Sequence, residues 1–403
     1  MRSIVKKIFL GVIAVFGILL LVAAIFFYPY YRMPAESKEM LNARLLIYQA
    51  AAKEMSDRPK DARNALERLI TDLMPVIAKE DENLAGKDCP SYDLQHIKTL
   101  EPIIREFQPF DTRFQAIVKD RLVLQQDADL EANVLHFLEP RRFVEWELAA
   151  AILDIEQGRR NEAMQRLASV IRFNEGLIRT PQLIYLMMCI AIEMKIDGAV
   201  MFLLPRLSTP EIDQLKDMLE KLPDTRAMYI KAMQVEVASY IQLFDRLRSN
   251  QVSVDDLNNM LYWKGVSTKI LLRLATLSGY MTRERYMCLS LASRDIEALQ
   301  KWLADGANGS FQSPIRKEIK YSLFFTMAWP NVADLLKNTV EDMQHREAVL
   351  TAMQLELQRR QAGDKTNIEL PYDEFSRLVL KPEYGCIVKN KNIATDAGSA
   401  KKR

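Results

Sequence analysis

Leu148–Asn174 reads LAAAILDIEQGRRNEAMQRLASVIRFN. Apolar residues recur on both sides of Gly158 at spacings of three and four, the period of one helix face. Ala151 sits on the first run, Gly158 marks the turn, and Glu162 with Ala163 opens the second, with Leu167 one turn further on. Small alanines let paired helices approach closely, and glycine relaxes the connection. The stretch therefore predicts a helical hairpin packed through Ala151, Ala163 and Leu167.

The same period extends outward. Leu41, Leu45, Tyr48, Ala52 and Met55 form one apolar face, and Ala62, Leu66, Leu69, Leu73 and Val76 form another after Pro59. A loop is expected over Lys79–Asp93 and a helix over Leu94–Phe107, ending near Pro109. Asp111 is expected to cap the next helix. Pro181 precedes a strongly apolar helix reaching Leu204, and Thr209 followed by Pro210 reads as a helix start. Thr225–Arg248, Asp255–Trp263, Ile296–Leu303 with Ser293 as cap, and Asn331–Gln361 complete the helical pattern, with one extended piece at Cys386–Lys389. With only 13 Gly in 403 residues and little alternation of period two, the fold class is all-α, a helical-hairpin bundle or irregular α-solenoid.

Ile8–Tyr31, IFLGVIAVFGILLLVAAIFFYPYY, carries no charge and follows Arg2, Lys6 and Lys7. About 18 or more consecutive apolar residues are long enough to cross a bilayer as a helix. Ile8, Phe16, Leu20, Phe27 and Tyr31 mark its length, and the aromatic end suits the headgroup interface. Bulky residues directly after Ala24 leave no small-x-small cleavage site, so an uncleaved anchor is expected rather than a signal peptide. Basic density before the first apolar residue keeps residues 1–7 in the cytoplasm. The chain is then a single-pass protein of the cytoplasmic (inner) membrane with its C-terminal domain extracytoplasmic or periplasmic. The expected organisation is a tail 1–7, an anchor 8–31, a membrane-proximal hairpin 32–78, a helical ectodomain 94–385 and a flexible basic tail 386–403.

Without Arg2, Lys6 and Lys7, 52 basic side chains face 53 acidic ones. A nearly neutral ectodomain gives no electrostatic footprint for nucleic acid. Cys89, Cys189, Cys288 and Cys386 lie about a hundred residues apart with no CxxC, which is not a zinc pattern. Cys189 and Cys288 sit in apolar runs and read as buried packing residues, whereas Cys89 and Cys386 sit in loops.

No P-loop, GxGxxG, HExxH or Gly-x-Ser-x-Gly occurs, so no cofactor and no metal is implied. Glu341 and His345 share a helix face and read as a solvated pair, as do the acidic pairs Glu80–Asp81–Glu82, Asp255–Asp256 and Glu341–Asp342. Glu193, Lys195 and Asp197 interrupt the apolar run after Pro181, which therefore reads as buried core rather than as a second span.

Leu148–Asn174 resembles a tetratricopeptide unit. With the N-terminal anchor, Pro181-Gln182-Leu183, VEVASYIQLFDRL (Val235–Leu247) and REAVLTAMQLELQRRQ (Arg346–Gln361), the order of segments resembles membrane-anchored α-helical bacterial proteins of the planctomycete type. The resemblance implies a fold and a location, and none of its motifs is catalytic. The functional expectation is a membrane-inserted interaction or scaffold protein with a protein partner or a second copy of itself. The alternative is a helical ligand- or lipid-binding domain with an apolar cavity. A scaffold is expected to show a groove lined by exposed apolar residues, and an enzyme a cleft where carboxylates converge. If Ile8–Tyr31 is an uncleaved anchor, the full-length chain stays in the membrane pellet after an alkaline wash. A soluble fragment beginning near Arg32 in the supernatant would refute it.

Overall fold

A computed structural model describes residues 34, 36–84, 94–99, 101–119, 122, 124, 138–249, 251, 280–306, 311–318 and 332–361. Helices are the only regular elements among them: α1 Lys38–Ser56, α2 Asp61–Leu84, α3 Leu94–Thr99, α4 Glu101–Val118, α5 Leu138–Glu156, α6 Arg160–Ile178, α7 Leu183–Leu203, α8 Thr209–Glu220, α9 Thr225–Arg248, α10 Tyr280–Ala304 and α11 Val332–Gln361. None of these helices is long and apolar enough to cross a membrane. Ile8–Tyr31 lies outside the described residues, as do Cys89, Asp255–Trp263, Cys386 and the C-terminal tail.

The chain forms two compact units. One takes in the chain through Ala52 and Gln234–Ala333, and so holds most of α1, the later turns of α9, and α10. Leu41, Leu45 and Tyr48 are its buried face of α1, and Val235, Ala238, Ile241, Leu289 and Ala292 are buried from α9 and α10. The Tyr48 hydroxyl donates to Ser293 Oγ at 3.2 Å, and Arg44 pairs with Glu297 at 2.6 Å. Ser293 is therefore no cap. It lies mid-helix on the buried face of α10, where a hydroxyl on the neighbouring helix meets it. Gly306, at φ +86°, does end the helical turn, as its place in the sequence suggests.

The other unit contains α2 to α8, the first turns of α9, and α11. Its centre is α5–α6–α7. The hairpin α5–α6 turns at Gly158, whose φ of +79° is a left-handed conformation that other residues adopt only with strain. Ala151, Ala163 and Leu167 are wholly buried. Gly176 has a different reason: a Cβ there would stand 2.6 Å from Leu122, so only glycine admits that close approach. Helix α7 is buried almost all round, Glu193, Lys195 and Asp197 included, which fits its reading as core.

Several helix boundaries differ from those the sequence suggests: α2 continues to Leu84, into the loop expected over Lys79–Asp93, and α10 begins at Tyr280, well before Ser293. Helix α4 runs straight through Pro109. A mid-helix proline costs about 3 kcal/mol. Pro109 faces solvent, however, while Phe107, Asp111, Phe114 and Val118 repeat as a buried face. Phe107 stacks on Trp146 at 5.4 Å, and Phe114 meets Phe143 and Phe173 edge-on at 4.9 and 5.6 Å. Packing of this kind exceeds the local penalty. Asp111 is accordingly a buried mid-helix residue and not a cap. At α8 the capping residue is Ser208, one position before Thr209, and its backbone N–H donates to Glu211 Oε2 at 2.5 Å in a capping box.

Ala151→Leu or Ala163→Leu inserts a branched side chain where no space remains. Each should cost roughly 1–3 kcal/mol in denaturant unfolding. An unchanged midpoint for both would show that the hairpin is not closely packed.

Candidate functional site

Two arginines, Arg166 half-buried and Arg346 buried, organise the larger unit, each facing three carboxylates. On α6, Arg166 donates from Nε to Asp154 Oδ2 at 2.9 Å, from Nη1 to Glu147 Oε2 at 2.9 Å and from Nη2 to Asp111 Oδ2 at 2.5 Å. One guanidinium thereby ties α4, α5 and α6 together, using the fixed fork of donors that only arginine offers. Burial and the neighbouring Asp111 push Glu147 well above the usual carboxylate range, and Arg166 pulls the other way. Arg159, at the hairpin turn, pairs with Asp154 as a second cation.

The second arginine is Arg346 on α11. It grips both oxygens of Glu193 on α7, with Nη2 to Oε2 at 2.6 Å. It also donates to the Pro223 carbonyl at 3.0 Å and to Thr225 Oγ1 at 3.3 Å. Asn174 Nδ2 reaches Glu193 Oε2 at 3.4 Å, and Thr225 donates to Asp342 Oδ2 at 3.5 Å. Asp197 is 1 % exposed, and neither of its carboxylate oxygens has a hydrogen-bond partner. Burial, then the charge of Glu193, drives Asp197 well above its ordinary range, and Arg346 offsets this only in part. Asp342 is raised for the same reasons, with Asp197 adding to the repulsion. One arginine pairs with one carboxylate, and burial beside that pair favours the protonated form of the other two acids.

These placements correct two expectations. Asp342 and His345 are buried, not a solvated face of α11, because α11 turns that face toward α7 and α9 through Arg346. Among the described residues, no group of three or more His, Cys, Asp or Glu is arranged to hold a metal ion. Cys189 and Cys288 are buried free thiols, and burial pushes both well above the ordinary thiol range. Thiols held protonated in this way are packing groups, not nucleophiles.

An open groove of about 630 Å³ lies between α4, α6 and α8. On α6, Asn161, Gln165, Ser169 and Arg172 follow one another along it, and Gln115, Lys119, Glu211 and Gln214 come from its walls. The eleven helical steps from Asn161 to Arg172 span about 16 Å. The walls are held by the contacts already described. Arg166 fixes α4 against α6, and Arg160 holds α8 through a bidentate pair with Glu211 at 2.8 and 2.6 Å. That pair and the capping box hold Glu211 down at about 2.

Contacts also orient the groove. Asp111 meets Arg166, Phe114 meets Phe173 and Leu122 lies on Gly176, so α4 and α6 run side by side in the same direction. Lys119 and Arg172 therefore share one end, while the Arg160–Glu211 pair closes the other. Lys119 and Arg172 are exposed and have no ion pair or hydrogen bond among the described residues. The hairpin residues Ala151, Gly158, Ala163 and Leu167 belong to the frame of this site and do not line it. Sequence reasoning missed the lining, because Gln, Asn and single cations at helical spacing look like any solvated face.

No protein-family model, curated protein or solved structure matches the chain.

Asp197 ties stability to pH. Its folded pKa lies above the unfolded value of 3.8, so the folded chain holds a proton that the unfolded chain releases. The stability this proton supports is complete below about pH 4 and declines as pH rises, by up to about 1.4 kcal/mol per pH unit for one group. Glu193 and Arg346 are the charged groups acting on it. Asp197→Asn should flatten the fall in Tm as pH rises above about 4. A parallel, unshifted pH profile would contradict a protonated Asp197.

Proposed function

We propose that this chain is an interaction or scaffold protein, held to the cytoplasmic membrane by Ile8–Tyr31, whose helical domain receives a protein partner outside the cytoplasm. The observation that supports this best is the groove between α4, α6 and α8. Its volume lies within the roughly 300–1,000 Å³ of ordinary recognition sites. Its walls are rigid helices locked by buried ion pairs, and a preorganised surface loses little on binding.

The lining differs from the apolar one expected of a scaffold. Met164, Ala116 and Ala168 supply its apolar floor, but amides and cations dominate. Such a surface is stable exposed to water and exchanges its hydrogen bonds for those of a partner. The converging carboxylates lie inside the helix stack, beside Arg166 and Arg346, and Glu211 is the single acid among the described residues that line the groove. That distribution favours recognition over acid–base chemistry. The tetratricopeptide-like hairpin fits the same reading, with α5–α6 as the frame on which the groove is mounted.

A photo-crosslinking residue placed at Gln165, in cells producing the full chain, should give a discrete adduct. The same residue at Asp213, an exposed position of α8 outside the lining, should not. Equal labelling at the two positions, or none at Gln165, would remove the groove as a partner site.

A further inference from the structure

We infer that the groove takes a short acidic segment of a partner protein in extended conformation, with its carboxylates at the Lys119–Arg172 end. This rests on the groove being a partner site and adds what the partner must look like.

Three observations carry it. The first is shape. The α6 row from Asn161 to Arg172 is about 16 Å long, and an extended chain advances about 3.3 Å per residue, so about five residues fit. The second is hydrogen-bond chemistry. Gln115, Asn161, Gln165 and Gln214 each present a donor and an acceptor to the groove. An extended backbone offers N–H and C=O groups along its length and can use both. Neither a lipid chain nor a uniform polyanion would need that mixture. The third is charge. Lys119 and Arg172 stand exposed at one end without partners among the described residues, and Arg172 offers a fork suited to a carboxylate.

At the other end Glu211, the one anion among the described lining residues, is already bound by Arg160 and by the Ser208 backbone N–H. The groove is therefore polar along its length. It attracts acidic side chains at the Lys119–Arg172 end, and Glu211 gives them nothing at the other. Two cations are too few for nucleic acid, which engages many phosphates at once.

The test uses the full chain in detergent and three fluorescein-labelled six-residue peptides, identical except for two adjacent positions that are Glu, Gln or Lys. Fluorescence anisotropy should show the Glu peptide binding at least about tenfold more tightly than the Gln peptide, since a charged hydrogen bond outweighs a neutral one. Arg172→Glu should abolish that preference and favour the Lys peptide. Gln165→Ala should weaken all three, which separates backbone recognition from charge. Far-UV circular dichroism of each variant should match the parent, because both positions are exposed on α6. Equal affinity for Glu and Gln peptides, an Arg172→Glu variant that keeps the preference, or no saturable binding would each overturn the inference. An adduct at Gln165 whose partner lacks an acidic extended segment would overturn it too, while leaving the groove as a partner site. Absence of any Gln165 adduct would instead remove the underlying reading.

Discussion

Arg166 and its three carboxylates fix the relation of α4, α5 and α6, and the groove exists because that relation is fixed. Taking an arginine and its partners out of water is costly, so such a cluster adds little to net stability. What it adds is register. Asp111, Glu147 and Asp154 present their oxygens within hydrogen-bond reach of Arg166 in one arrangement of the three helices. A slide of α4 by one turn would leave buried charges unpaired, at about 3–5 kcal/mol. Apolar contacts such as Phe114 with Phe143 and Phe173 tolerate small shifts that the ion cluster does not.

Burial favours the protonated form of acids wherever arginines are too few. Glu147 beside Arg166, and Asp197 with Asp342 beside Arg346, are pushed well above the usual carboxylate range by burial and by neighbouring acids. The smaller unit holds a milder case. Glu236 on α9, with the Tyr240 hydroxyl donating to it at 3.5 Å, is pushed up by burial to about 7 from 4.5. The folded unit retains that proton between about pH 4.5 and 7 where the unfolded chain releases it. The associated stability is thus present at low pH and lost as pH rises through that window.

The helices were legible because their apolar period is regular, and α5–α6, α9 and α11 lie close to where Leu148–Asn174, Thr225–Arg248 and Asn331–Gln361 place them. Glu193, Lys195 and Asp197 inside an apolar run were a sound signal of an interior helix. What was not legible is what polar residues do at a distance. Asp111 reads locally as a cap, and its partner Arg166 is 55 residues away. Ser293 reads as a cap because a hydroxyl precedes an apolar run, but Tyr48, 245 residues away, decides its role. Pro109 reads as a stop because the cost of proline is local while the aromatic packing that exceeds it is not. The groove lining has no local signature at all, since Gln115, Gln165 and Gln214 come together only when three helices pack.

The Arg346 cluster also limits how this chain can drift over generations. Loss of Arg346 alone strands Glu193 in the interior, and loss of Glu193 alone strands the guanidinium. Neither intermediate is an easy stepping stone, so the pair is inherited or discarded together. Asp197 and Asp342 are different. Held by no arginine hydrogen bond, they are open to exchange for other small polar residues one at a time. Glu193 and Asp197, four residues apart on α7 beside the same arginine, therefore sit under opposite degrees of historical constraint, set by which of them Arg346 grips.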